Sequence, residues 1–140
     1  MQIGIRPSGL DTPPAYIPTA GTAKTTGAFT LTNTYATLPG ATATVTIPAN
    51  GHLLVWASLY WYLGGATEQL IAAIKANGST LQPAPIVRVA GPERANVTIA
   101  SGLPVAAGSV SLTIEVKRWA GTATDNSIDS AALSWLYIPE

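Results

Sequence analysis

From residue 28 onward the chain breaks into short runs in which apolar and polar side chains alternate, the period of two that marks half-buried β-strands. Thr42, Thr44 and Thr46 alternate with Ala43, Val45 and Ile47, and Val110, Leu112, Ile114 and Val116 alternate with Ser111, Thr113, Glu115 and Lys117. The spacing predicts about eight strands, over residues 29–34, 41–47, 52–63, 68–76, 85–90, 94–100, 109–119 and 130–138, with the first two taken as a pair. Within 68–76 the residues Leu70, Ile71 and Ile74 have helical spacing, but Asn77-Gly78-Ser79 directly after them is a hairpin turn signal, so this run reads as a strand. Pro48-Ala49-Asn50-Gly51 carries the same Asn-Gly signal and is expected to close a turn. Short strands separated by turns at this spacing predict an all-β sandwich, a jelly roll of about eight strands.

Two of these runs break the alternation. In 52–63 both Leu53, Val55, Ala57, Leu59, Trp61 and Leu54, Trp56, Ser58, Tyr60, Tyr62 are predominantly apolar faces, and 130–138 is apolar on both sides as well. An antiparallel strand with one wet face would alternate, so both faces of these strands are expected to be covered. One faces the core of the domain. A contact with another subunit is the simplest cover for the other, and Trp56, Tyr60, Tyr62, Trp135 and Tyr137 are the candidate subunit-interface residues, being of types enriched at interface hot spots.

Residues 1–27 show neither period. They carry Pro7, Pro13, Pro14 and Pro18 with Gly4, Gly9 and Gly21, a composition that fixes φ and withholds backbone donors. They are expected to form an extended, proline-rich N-terminal arm, followed by the sandwich domain over 28–140. Pro13, Pro14, Tyr16, Ile17 and Pro18 are the candidate partner-binding residues of the arm: a polyproline-like stretch offering two apolar anchors to a neighbouring subunit.

Charge narrows the function. The 140 residues hold seven Lys or Arg and seven Asp or Glu, so 10% are charged where a soluble domain usually has about 25%. No basic run exists, which argues against nucleic acid and anionic membranes as partners. No cysteine is present, and neither a signal peptide nor a spanning stretch is read at the level of sequence, so a soluble protein made in the cytoplasm is expected. A surface this poor in charge is weakly protected against self-association. It fits a chain whose surface is covered by other subunits.

Titratable groups are few. His52 is the one imidazole and lacks a nucleophile-elbow serine or a third partner. Asp125-Asn126-Ser127-Ile128-Asp129 lacks the glycine and terminal glutamate of a calcium loop. Glu68, Glu93, Glu115, Asp125 and Asp129 cannot be paired by spacing into a glycosidase site, and no glycine-rich phosphate cradle is found. No catalytic, cofactor or metal residue is therefore assigned, and a non-enzymatic protein is expected. The clustered aromatics leave a carbohydrate-binding platform as the reading from a different class.

The stretch Val45-Thr46-Ile47-Pro48-Ala49-Asn50-Gly51-His52-Leu53-Leu54-Val55, the later Ala76-Asn77-Gly78 turn and the final aromatic strand resemble the trimeric jelly rolls of the C1q and tumour-necrosis-factor type, in particular those of bacteriophage virions. The resemblance spans about residues 28–140, with Leu53 and Val55 where C1q proteins usually carry aromatics. A jelly roll with a proline-rich arm and no preceding fibre shaft is most similar to phage head-decoration, or cement, proteins. That resemblance implies a homotrimer on the outer capsid surface whose arms clamp the major capsid protein and stabilise the head. The alternative it leaves is a receptor- or carbohydrate-binding head of a tail fibre.

Overall fold

A computed structural model describes residues 19–25, 27–63, 68–81, 86–89, 93–118 and 126–140. Ten strands lie among them: β1 (Ala20–Lys24), β2 (Phe29–Thr30), β3 (Ala36–Ile47), β4 (Gly51–Leu63), β5 (Glu68–Ala76), β6 (Ser79–Thr80), β7 (Ile86–Val89), β8 (Glu93–Val105), β9 (Gly108–Arg118) and β10 (Asn126–Pro139). Sheet I has the order β1-β10-β4-β8, with β2 also on β10; sheet II has the order β3-β9-β5-β6, with β7 also on β5. Every pairing is antiparallel.

The core forms where the inner faces of the two sheets meet. Leu53, Val55, Ala57, Leu59 and Trp61 of β4 and Ile128, Leu133 and Tyr137 of β10 are buried against Val45 and Ile47 of β3, Leu70 and Ile74 of β5, and Val110, Leu112, Ile114 and Val116 of β9. Each such Val, Leu or Ile side chain contributes roughly 1.5–3 kcal/mol by leaving water, and this burial is what fixes the register: a slip of one residue would turn each set outward. The β5–β6 turn is the tight hairpin expected, with Asn77 at φ 49 and Gly78 at φ 81, the left-handed pair of a type I′ turn. The Asn77 carboxamide oxygen also accepts the backbone N–H of Ser111 at 2.8 Å, tying this hairpin to β9.

Three expectations are corrected. Residues 20–24, assigned to the arm, form β1, which pairs with 132–136 of β10 as the edge of sheet I. Gly21 stands opposite Trp135, and a Cβ at that position would meet the indole at 2.4 Å, so the glycine is what lets the backbone close over that ring. Residues 29–30 and 41–47 do not pair with each other: β2 joins β10 in sheet I, while β3 joins β9 in sheet II. Asn50-Gly51 does not close a hairpin, because β3 and β4 belong to different sheets and 48–50 carry the chain between them. Gly51 serves close approach instead, since a Cβ there would lie 2.3 Å from the carbonyl oxygen of Ile138. The crossing is fastened by the Tyr137 hydroxyl, 3.0 Å from the Ala49 carbonyl oxygen and 3.1 Å from that of Asn50.

Candidate interaction surface

With the odd-numbered residues of β4 in the core, its even-numbered ones stand on the outer face of sheet I. The register places Leu136 opposite Leu54, Ser134 opposite Trp56, Ala132 opposite Ser58 and Ser130 opposite Tyr60 on β10, and Gly102, Ala100, Thr98 and Asn96 in the same rows on β8. One end of this face is apolar. Leu54, Trp56 and Ile138 are 39%, 38% and 43% exposed, although large apolar side chains normally seek burial, and half-buried Leu136 joins them. The only other exposed large apolar side chain among the described residues is Tyr35, so the exposure is concentrated on one face.

The opposite end is polar. The Arg94 guanidinium of β8 lies over the rings of Tyr62 and Tyr60, 4.9 and 5.6 Å from their centroids, and pairs with the Asp129 carboxylate of β10. Asp129 reaches it because the β10–β4 register shifts between Ile128 and Ser130, a bulge that leaves Asp129 without a cross-strand partner and re-aims its side chain. The Ser127 hydroxyl donates to the same carboxylate at 2.6 Å. The hydrogen bond that Arg94 donates to the Asp129 carboxylate holds the Arg94 pKa above its ordinary value. Between the two ends lies an open recess of about 360 Å³, floored by Ser58, Ala132 and Ser130 and walled by Lys24, Tyr60 and Asn96.

The structure brings together three of the five candidate interface residues: Trp56, Tyr60 and Tyr62 all stand on the outer face. The assignment of Trp135 and Tyr137 to the interface is corrected. Their register, opposite Val55 and Leu53, turns both inward, where Tyr137 is fully buried and Trp135 packs against the core. Leu54, Leu136 and Ile138 take their place on the outer face. The signal for them lay in the same runs: Ser134 shares a parity with Leu136 and Ile138, as Ser58 does with Leu54 and Trp56, and a small polar residue belongs on the outer side. Pro13, Pro14, Tyr16, Ile17 and Pro18 of the arm lie outside the described residues. His52 is exposed on the same outer face. Among the described residues no three acidic, His or Cys side chains gather to hold a metal ion.

No protein-family model matches the chain, and no curated protein matches it by sequence. Its fold is similar to that of the Eiger TNF of S. frugiperda, at a TM-score of 0.51 and 12% identity, over 88% of this chain and 94% of that one. Murine APRIL aligns over 85% of this chain and 99% of its own at a TM-score of 0.44 and 10% identity. The D431N mutant VP2 protein of infectious bursal disease virus aligns over 86% of this chain and 32% of its own, at a TM-score of 0.45 and 17% identity. The likeness to Eiger, with the two antiparallel sheets, makes the class of the fold a TNF-like jelly-roll β-sandwich.

Proposed function

We propose that this chain is a non-enzymatic structural protein of a virion, a decoration or cement protein of a phage head, which trimerises through the outer face of sheet I and clamps neighbouring capsid subunits with its N-terminal arm. The observation that carries the reading is the apolar half of that face, where the described residues leave Leu54, Trp56 and Ile138 exposed beside half-buried Leu136, in a chain with 10% charged residues. β10, β4 and β8, about 4.8 Å apart and about 40 Å long, together with the five-residue β1 present roughly 650 Å², close to the ~800 Å² that a standard interface takes from each partner. A closed ring of copies removes that surface from water without chemistry, and closure keeps a sticky face from running on into a filament. The arm then acts beyond the trimer. Residues 1–18 carry Pro13, Pro14, Tyr16, Ile17 and Pro18, which supply apolar anchors whose prolines reduce the entropy lost on binding.

The arm enters sheet I beside the apolar end, since Ala20 pairs with Leu136 and the Thr19 carbonyl oxygen accepts the Tyr137 backbone N–H at 2.9 Å. Deletion of residues 1–18 tests the division of labour. Trimers of the shortened chain that no longer co-sediment with capsid shells of the virus that encodes it are the expected outcome. Undiminished co-sedimentation would contradict a clamping arm. A receptor- or sugar-binding head, the alternative, would retain ligand binding after the same deletion.

A further inference from the structure

We propose that the recess on the outer face of sheet I is a socket for the Trp56 indole of a second copy of this chain. The inference rests on self-association through that face and names the contact that organises it.

A knob and a hole sit side by side on one strand. Trp56 projects from β4 with 38% of its surface exposed, and Ser58, about 7 Å further along the same face, lies in the floor of the recess. The floor is low because three neighbouring positions on β4 and β10 are small: Ser58, Ala132 and Ser130. At about 360 Å³ the recess holds far more than a single water, which takes about 30 Å³, and it is open to solvent on its outer side.

The walls suit an indole. Lys24 is exposed at one side and makes no ion pair among the described residues, leaving its ammonium available to lie over an aromatic face. Tyr60 forms another wall, its ring lying under the Arg94 guanidinium, and presents an aromatic partner to the incoming ring. Asn96 supplies a polar group to the wall and Ser130 one to the floor. Among the described residues Lys24 is the one charged residue lining the recess, Arg94 beside it being paired with Asp129, and a tryptophan finds a cation, an aromatic wall and room.

Knob and socket are different parts of one face, so the contact serves either a reciprocal two-fold pair or a head-to-tail ring in which each copy gives its Trp56 to the next and receives one from the previous, and the proposed trimer takes the second. Such a contact closes into a ring when the rotation between copies divides a full turn, which is how a trimer forms from one kind of interface. The inference therefore predicts two separate ways to break assembly.

The test uses the full-length chain, with association followed by sedimentation velocity over a range of concentrations. Trp56→Ala removes the knob and Ser58→Trp fills the socket. Both positions are exposed, so both variants are expected to keep the wild-type circular dichroism spectrum and a cooperative unfolding transition while associating at least tenfold more weakly. Mixing the two variants restores one contact, since the Trp56 of the Ser58→Trp chain meets the open socket of the Trp56→Ala chain, and a mixed dimer that does not close is expected. Thr44→Trp, an exposed substitution on the outer face of sheet II, is expected to leave association unchanged. If the wild type trimerises and Trp56→Ala or Ser58→Trp does so equally well, the socket is wrong and self-association stands. If the wild type stays monomeric at every concentration, both fall.

Discussion

Single residues in this protein are constrained mainly by how closely backbones and rings approach. Gly51 has no room for a side chain, so Gly51→Ala would drive a methyl group into the Ile138 carbonyl where β3 crosses to β4. A loss of about 1–3 kcal/mol of stability is expected, read from urea denaturation. Trp61 shows the opposite case. It is fully buried, and its indole N–H makes no hydrogen bond among the described residues, so its stabilising effect comes from volume and apolar area rather than from its polar atom. Trp61→Phe is expected to cost under about 1.5 kcal/mol, as conservative core swaps do, whereas Trp61→Ala costs about 3–5 kcal/mol by opening a cavity. A loss of about 3 kcal/mol or more for phenylalanine, which keeps an aromatic ring but lacks the N–H, would show that the indole nitrogen has a partner after all. The left-handed Asn77-Gly78 pair and the outward Ser111, Thr113, Glu115 and Lys117 were legible from the sequence because each is dictated by local sterics or by alternation. The role of Gly51 was not, because close approach to β10, some 87 residues away in the chain, leaves no local trace.

At the scale of elements, periodicity located most strands, and it failed where the chain changes sheets. The run 68–76 is a strand in spite of its helical spacing because a two-residue hairpin follows it and β9 pairs along it. The pairing of 29–34 with 41–47 failed because adjacency in sequence says nothing about which sheet each joins. The arm boundary was misplaced for a related reason: Ala20–Lys24 alternates weakly, with small residues on both sides, and only its pairing with β10 makes it a strand. This has a measurable consequence. Removing residues 1–18 is expected to leave the unfolding temperature within about 2 °C of wild type, while removing 1–25 strips the edge strand from Trp135 and lowers it by several degrees more, followed by thermal unfolding. An equal, large effect of both deletions would mean that 1–18 also belongs to the sandwich. The bulge at Asp129 is likewise invisible to pattern reading, since it is recognised only when β10 is laid against β4.

For the whole molecule, the doubly apolar strands point to a surface that the described residues leave exposed, and the structure resolves which parity it is. Sequence alone weighted the aromatics, so Trp135 and Tyr137 were placed with Trp56, Tyr60 and Tyr62; the antiparallel register sorts them to opposite faces and brings Leu54, Leu136 and Ile138 outward. The result is a jelly roll with an apolar end and a polar end on one outer face, the polar end held in place by Arg94, its two tyrosines and Asp129. In the proposed trimer this face joins copies of the chain through apolar contact while the polar end limits the register in which they meet. The most direct test is the molar mass of the full-length chain in solution, measured by light scattering at micromolar concentration beside the Trp56→Glu variant. Association through sheet I requires three times the 14.4 kDa of one chain for the wild type and 14.4 kDa for a folded Trp56→Glu. A wild-type chain that remains at 14.4 kDa, or a Trp56→Glu chain that assembles as well as wild type, would contradict it.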